Sequence, residues 1–376
     1  MLHLAAEAGL RPRVVTVDHG LRPGSADEAA MVARVADGLG LRHDTLLWKG
    51  WQGQGNLQDA ARRARRRLIA DWALGHGLSS VALAHTQDDV AETFLMRLAR
   101  GAGVDGLSAM SPLWQEGGIT WQRPMLAMSR AELRDWLTAR GLSWAEDPSN
   151  DNPRFDRVRA RRALVALKPL GLGAPRLAAV AAHLAEARVA LDALADDWAQ
   201  RALSERAGMI EIASDLWRAP EETQRRLLQR IVMWISPAAY APRGPQIGQL
   251  RARLSEGQAA TIAGCRFQAT PSGLRALREA KALGPRVPAT GIWDGRWRLL
   301  GDLPGGTEMG ALGPEGLAQC PDWRATGLPR AALLVSPALW HGETLLAAPF
   351  AGLGAGFCSA VPLQPFFARN SAGLSH

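Results

Sequence analysis

Apolar positions in the first third of the chain follow two alternating rhythms. Val14-Val15-Thr16-Val17 is a short β-branched run of the kind that forms a buried strand. Helical spacing follows over residues 25–40, residues 43–47 predict a second strand, and Ser80 to Ala84 a third. Before that third strand, Leu57, Ala61, Ala64, Leu68 and Trp72 recur at helical intervals. They predict a helix that opens at Asn56 as N-cap, with Asp59 three residues later, and runs to about Gly75. Another helix is predicted from about Asp88 to Arg100. Strands that alternate with helices at this spacing predict an α/β domain built on a doubly wound parallel sheet.

The texture changes at Lys168-Pro169-Leu170-Gly171-Leu172-Gly173, which reads as a linker. Residues 176–204 are a long alanine-rich helical stretch, and Glu221 to Trp234 form another. From about residue 285 the chain is rich in Gly, Pro and Trp with short apolar runs, the pattern of a small region containing β-strands. The expected organisation is a catalytic α/β domain over residues 1–167, a helical region over 168–285 and a small α+β region over 286–376.

Composition narrows the class. A hydrophobic share of 47% excludes a disordered or fibrous chain. No apolar run approaches the length of a bilayer crossing, and Cys265, Cys320 and Cys358 are too far apart for a C-x-x-C pair or a disulfide framework. These features predict a soluble cytoplasmic protein with no membrane partner. The formal net charge is +8, and only Lys49, Lys168 and Lys281 among the cations are lysine. The arginine fork suits phosphate oxygens. A compositional bias that raises Arg, Ala and Gly together explains part of the excess, so charge alone makes nucleic acid plausible and no more.

The densest chemistry lies in Ala84-His85-Thr86-Gln87-Asp88-Asp89-Val90-Ala91-Glu92-Thr93, where a strand ends and a helix begins. In an open parallel sheet that edge is where ligands bind. Asp88 and Glu92 are four apart and Asp89 lies three before Glu92, so the carboxylates gather around one turn and suit Mg²⁺ or a cationic amine. One or two acids there would merely complement the helix dipole; three, preceded by His85, exceed that need. On the helix before them, Arg62 to Arg67 hold five arginines in six residues, with only Asp59 nearby. A phosphate-bearing partner and a solvated basic face explain them about equally well. Arg100-Gly101-Ala102-Gly103 is a glycine-bearing loop, weak evidence alone. Glu146-Asp147-Pro148-Ser149-Asn150 is a turn, followed by Phe155 and by Arg157, Arg159, Arg161 and Arg162, with Arg157 and Arg161 on one helix face.

In this order the segments resemble the bacterial tRNA(Ile)-lysidine synthetases, members of the PP-loop ATP pyrophosphatases. The matching stretches are Val17-Asp18-His19-Gly20-Leu21-Arg22, Ala61-Arg62 with Ala64-Arg65, His85 to Thr93, Arg100 to Met110, Arg123-Pro124, and Glu146 to Asn150 with its trailing arginines. They cover residues 1–165 densely; the rest resembles the family's helical and C-terminal tRNA-binding regions with less specific motifs.

The resemblance implies a ligase that uses ATP and Mg²⁺ to join free L-lysine to the wobble cytidine of a tRNA(Ile) bearing a CAU anticodon. It leaves a homodimer open as the assembly. The C2 oxygen of cytidine attacks the α-phosphate of ATP and releases pyrophosphate; the lysine ε-amine then attacks C2 and expels AMP. Carried over by position, Asp88, Asp89, Glu92 and Arg123 are the catalytic set, with Asp88 and Asp89 holding Mg²⁺. Asp18, His19, His85, Arg100 and Gly101 line the nucleotide, and Arg62, Arg65, Arg157, Arg159 and Arg161 grip tRNA.

Several positions depart from the family. Its phosphate loop, S-G-G-x-D-S, occurs nowhere in the 376 residues, and Met1 to Ala6 resemble the helix that follows that loop. The expectation is that the native start lies upstream. Thr86 stands where a second histidine is common, Arg66 where tyrosine is, and Val158 where asparagine is. Two alternatives follow: another PP-loop tRNA-modifying enzyme such as a cytidine thiolase, which the absent C-x-x-C disfavours, and a catalytically incompetent tRNA-binding remnant.

Overall fold

The computed structural model describes residues 1–20, 24–49, 51, 57–108, 110–145, 156–238 and 241–367. Asn56 as N-cap, the Glu146–Asn150 turn, and Leu21, Arg22, Ala109 and Phe155 of the matching motifs lie outside the described residues. The chain forms two compact units, Met1–Arg188 and Val189–Arg369. The division falls inside a helix, beyond the Lys168–Gly173 linker.

The first unit opens with α1 (Leu2–Glu7), β1 (Val14–Asp18), α2 (Ser25–Gly38), β2 (His43–Leu47), α3 (Leu57–Gly75), β3 (Ser80–Ala82) and α4 (Gln87–Leu98). It continues with the short α5 (Val104–Leu107), β4 (Leu113–Glu116), β5 (Ile119–Gln122), α6 (Arg130–Thr138) and α7 (Asp156–Leu167). The pairings β1 with β2 and β3 with β5 are parallel, each linked by a helix-bearing crossover, while β4 pairs antiparallel with β5. The expected parallel α/β sheet is therefore present, in two pieces not hydrogen-bonded to one another among the described residues. Helix α3 spans both. Its Ile69, Ala70 and Ala73 pack with Val15 and Val17 of β1, Val81 of β3, and the fully buried Ile119 and Trp121 of β5. This is not the stripe read from the sequence: of Leu57, Ala61, Ala64, Leu68 and Trp72 only Ala64 is buried, and Arg62 and Arg66 of the same helix are partly buried themselves.

The second unit is served by α8 (Ala174–Ala202), whose second half buries Ala195, Ala199 and Ala202. A five-stranded antiparallel sheet follows, in the order β6 (Leu203–Arg206), β7 (Met209–Ala213), β10 (Gly273–Arg278), β9 (Cys265–Thr270), β8 (Ala260–Ile262). Against it lie α9 (Glu221–Ile235) and α10 (Gly244–Ser255). In α9, Leu227, Leu228, Ile231, Val232 and Ile235 are wholly buried, an i, i+4, i+8 stripe with charged residues opposite. Downstream come β11 (Val287–Pro288), β12 (Trp297–Gly301), β13 (Glu308–Ala311), α11 (Gly313–Ala318), α12 (Arg330–Leu334), β14 (Pro337–His341), β15 (Thr344–Ala347) and β16 (Cys358–Pro362). They form a four-stranded sheet β11-β13-β14-β15 and a ribbon β12-β16.

Arg296 lies buried between the rings of Trp234 and Trp297 and donates to the carbonyls of Ile235 and Gly208 at 3.1 and 3.0 Å. Gly208 itself has φ +78° and sits where an added Cβ would come within 2.3 Å of the Trp297 ring, so backbone freedom and space both require glycine. Cys265, Cys320 and Cys358 are buried in three different apolar clusters, and burial raises each thiol pKa above its ordinary value. They are core residues, which removes the basis for cysteine-borne sulfur chemistry. No single helix among the described residues is long and apolar enough to cross a membrane.

Candidate functional site

The site grows from the junction of β3 and α4. Thr86 is the N-cap of α4, and both its backbone N–H and its hydroxyl donate to Asp89 Oδ2 at 2.8 Å. The hydroxyl gives Thr86 its role, adding a second bond to the one its backbone makes. Gln87 N–H donates to the Met128 carbonyl at 2.9 Å, which seats the start of α4 beside the segment leading into α6.

All three acids of α4 meet one residue that the sequence reading did not single out, Arg130. At the first position of α6 its backbone N–H has no intrahelical acceptor, and it donates to Asp88 Oδ2 at 2.7 Å. Its guanidinium forks to Asp89 Oδ1 at 2.7 Å and Glu92 Oε1 at 2.5 Å. Arg161 of α7 reaches the same Glu92 oxygen at 2.8 Å. Glu92 is fully buried and its Oε2 has no hydrogen-bond partner among the described residues. Burial alone would raise the Asp89 pKa; the Arg130 charge and the Thr86 bonds outweigh it and hold the carboxylate below its ordinary range. Carboxylates engaged by arginine do not fit a resident divalent ion. Among the described residues no group of three His, Cys, Asp or Glu side chains is arranged to hold a metal. The expectation of Mg²⁺ shared by Asp88 and Asp89 thus meets a physical obstacle: an ion bridging both must displace the Arg130 guanidinium from Asp89.

Beside the acids lies a second, opposite cluster. Arg123, at the end of β5, is buried, donates to the Ser111 carbonyl at 2.5 Å and stacks 3.9 Å from the Trp114 ring centroid. Its Nε–H donates to His85 Nδ1 at 3.2 Å, so neutral His85 carries its proton on Nε2. Burial first, and then Arg123, push the His85 pKa down to about 4. Arg62, Arg65 and Arg157 carry no hydrogen bond or ion pair among the described residues. Burial and mutual repulsion, with Arg66 and Arg97 adding to it, lower the Arg62 pKa to about 10; burial and Arg62 do the same for Arg123. Crowded, unneutralised guanidinium groups are what a polyanion site looks like before its ligand arrives.

The neutral state of His85 makes a direct prediction. Its native pKa lies below the ordinary value of about 6.5, so between pH 6.5 and 4 the unfolded chain binds a proton that the native protein refuses. Stability therefore falls as pH drops through that window and is unaffected above it. In an NMR titration the His85 ring resonances are expected to stay flat from pH 8 to 5. Arg123→Ala should bring the transition back toward neutrality, and a wild-type midpoint near 6.5 would contradict the arrangement.

The remaining expected residues fall elsewhere. Asp18 ends β1, where its Oδ1 accepts from Ser25 Oγ at 2.6 Å and Gly20 N–H at 2.9 Å, bonds that lower its pKa and tie the end of β1 to the start of α2. His19 follows it directly. Arg100 and Arg159 both pair with the exposed Asp156, tying the end of α4 to the start of α7. Gly101 has φ +70°, and the N–H of Ala102 returns to the Arg97 carbonyl at 3.1 Å, so this glycine stops α4. Nothing about that role requires a nucleotide. Arg97, which bonds the Gly106 carbonyl at 2.8 Å, and Trp114 joined the site unforeseen.

A parallel α/β unit whose strand ends carry an acid cluster and an unneutralised arginine cluster defines a class, and residues 1–168 match the PP-loop domain family. Relatives place the chain more narrowly. It is 48% identical over 363 residues to the tRNA(Ile)-lysidine synthase of Ruegeria pomeroyi, covering 95% of this chain and 87% of that protein. It is 40% identical over 285 residues to the enzyme of the same name from Novosphingobium aromaticivorans, covering 73% and 83%. A third, from Mesorhizobium japonicum, is 34% identical over 355 residues, covering 89% and 76%. The chain belongs to the tRNA(Ile)-lysidine synthase family.

Proposed function

We propose that this protein joins lysine to C2 of the wobble cytidine of a CAU-anticodon tRNA(Ile), at the expense of ATP, in the cytoplasm. In the first step the cytidine O2 bonds to the α-phosphorus of ATP and the bond to the pyrophosphate oxygen breaks. In the second, the free-base ε-amine of lysine bonds to C2, the C2–O bond breaks to release AMP, and the amine loses a proton. The observation that carries this reading is the juxtaposition, within a family of lysidine synthases, of the acids of α4 with Arg62, Arg65 and Arg157, which have no partner among the described residues. The cations suit ATP phosphates and the tRNA backbone, and the acids suit a lysine ammonium.

Arg123 and the Nε2–H of His85 would stabilise charge on the adenylate. Asp18, His19, Arg100 and Gly101 would border the nucleotide, and Arg159 and Arg161 would extend the basic track along α7. Magnesium fits this scheme as the companion of ATP phosphates rather than as a resident ion on Asp88 and Asp89.

The test incubates the protein with ATP·Mg²⁺, labelled lysine and a CAU-anticodon tRNA(Ile) transcript. The expected result is one lysine incorporated for each AMP and each pyrophosphate released. Binding of tRNA without AMP formation would instead support a binding-only remnant.

A further inference from the structure

Arg130 is joined to every acid of α4, and by different groups. A capping box fixes where it emerges: Ser129 N–H and Oγ donate to Glu132 Oε2 at 2.7 and 2.8 Å, and Glu132 N–H returns to Ser129 Oγ at 3.1 Å. The backbone N–H then meets Asp88 and the fork meets Asp89 and Glu92, so helix α6 enters the acid cluster with its positive end and a full charge together. The Glu92 side chain is 1% exposed. An ionised carboxylate that deeply buried persists only with close cationic partners.

Both oxygens of Asp89 are engaged, by Thr86 and by Arg130. Two oxygens are left without a hydrogen bond among the described residues, Asp88 Oδ1 and the buried Glu92 Oε2. Of the two, Asp88 is only partly buried and its Oδ1 suits a primary ammonium, whereas Glu92 Oε2 is shut off from solvent.

We propose that Arg130 is a positioning residue for the amine substrate: it holds the three carboxylates together on one turn of α4, so that the part-exposed Asp88 keeps one oxygen for an incoming alkylammonium. This rests on the functional reading above and adds to it the residue that prepares the amine site. A purely structural bridge between α4 and α6 is the competing account, and the two differ in what their loss would change.

Arg130→Lys keeps one charge but cannot fork to Asp89 and Glu92 at once, and Arg130→Gln removes the charge. For Arg130→Lys the KM for lysine is expected to rise at least tenfold, while lysine-independent, tRNA-dependent pyrophosphate release falls less than threefold. Arg130→Gln should raise that KM further. The thermal stabilisation that millimolar lysine confers on the wild-type chain should be lost in both variants, a readout independent of turnover. A wild-type lysine KM in Arg130→Lys would overturn the proposal. So would an equal fall in pyrophosphate release and lysine transfer accompanied by a lowered Tm in the absence of lysine, because that is the signature of a structural bridge. If the wild type makes no lysidine yet is stabilised by lysine, the functional reading fails and the stabilisation assay alone decides Arg130. If lysine neither reacts with nor stabilises the wild type, both fail.

Discussion

Asp89→Ala is expected to abolish lysine incorporation, by about 10²–10³-fold or more if a catalytic electrostatic contact is lost, in a protein that still folds. The carboxylate has two functions at once. Oδ2 closes the N-cap of α4 on Thr86, and Oδ1 holds one arm of Arg130. Losing the cap costs about 1 kcal/mol, and leaving a half-buried guanidinium without its partner costs about 3–5 kcal/mol in strongly desolvated cases, less here because Arg130 keeps Glu92. Asp89→Asn separates the two functions. Its amide offers a single oxygen, which can serve the cap or Arg130 but not both, so incorporation should still collapse while the Tm falls less than for alanine.

Because the native Asp89 pKa is depressed, its contribution to stability is present above the unfolded carboxylate pKa and is lost as pH falls through the native value. Acid sensitivity from this group therefore begins below about pH 4, whereas that from His85 begins near 6.5. Retained lysine incorporation in folded Asp89→Ala protein would sink the assignment of this acid to the reaction.

The second large effect concerns the cations. The double substitution of Arg62 and Arg157 by alanine should weaken tRNA binding and flatten its salt dependence by about 1.4–1.8 units of slope, the release expected from two phosphate contacts. The same change should leave the Tm unaltered or raise it, because these groups repel one another and have no anionic partner among the described residues. Affinity and stability would then move in opposite directions, as happens when a binding site stores repulsion that only its ligand relieves. Filter binding across a salt series, with a thermal melt of the free protein, reads both. An unchanged slope together with a lowered Tm would mean that the two arginines serve packing.

The local elements were legible because each rests on interactions between near neighbours in the chain. The β-branched run at Val14–Val17, the helix α3 and the alternation of strand and helix all follow from side-chain periodicity, which is a property of sequence; which face of α3 is buried was decided by the strands it packs on. The acids of α4 were legible for the same reason, since spacings of three and four residues place carboxylates on one turn whatever surrounds them.

Tertiary structure decided what those acids face. Arg130 lies 38 residues from Glu92 and Arg161 lies 69 from it, and no local rule brings them together. The fold does so by seating the start of α6 and the side of α7 against α4, and that contact turns a set of carboxylates suited to a metal into an arginine-held cluster. The arginines of α3 show the converse. Sequence could not choose between a solvated basic face and a phosphate site, because the difference lies in whether carboxylates from elsewhere neutralise them. For Arg66 and Arg63, Glu116 and Asp59 do; for Arg62 and Arg65, no described residue does. Chain chemistry alone determined which charges this protein carries, and long-range packing determined which of them remain unpaired for a ligand, because the pairing energy of a charge depends on its neighbours in space and on their burial.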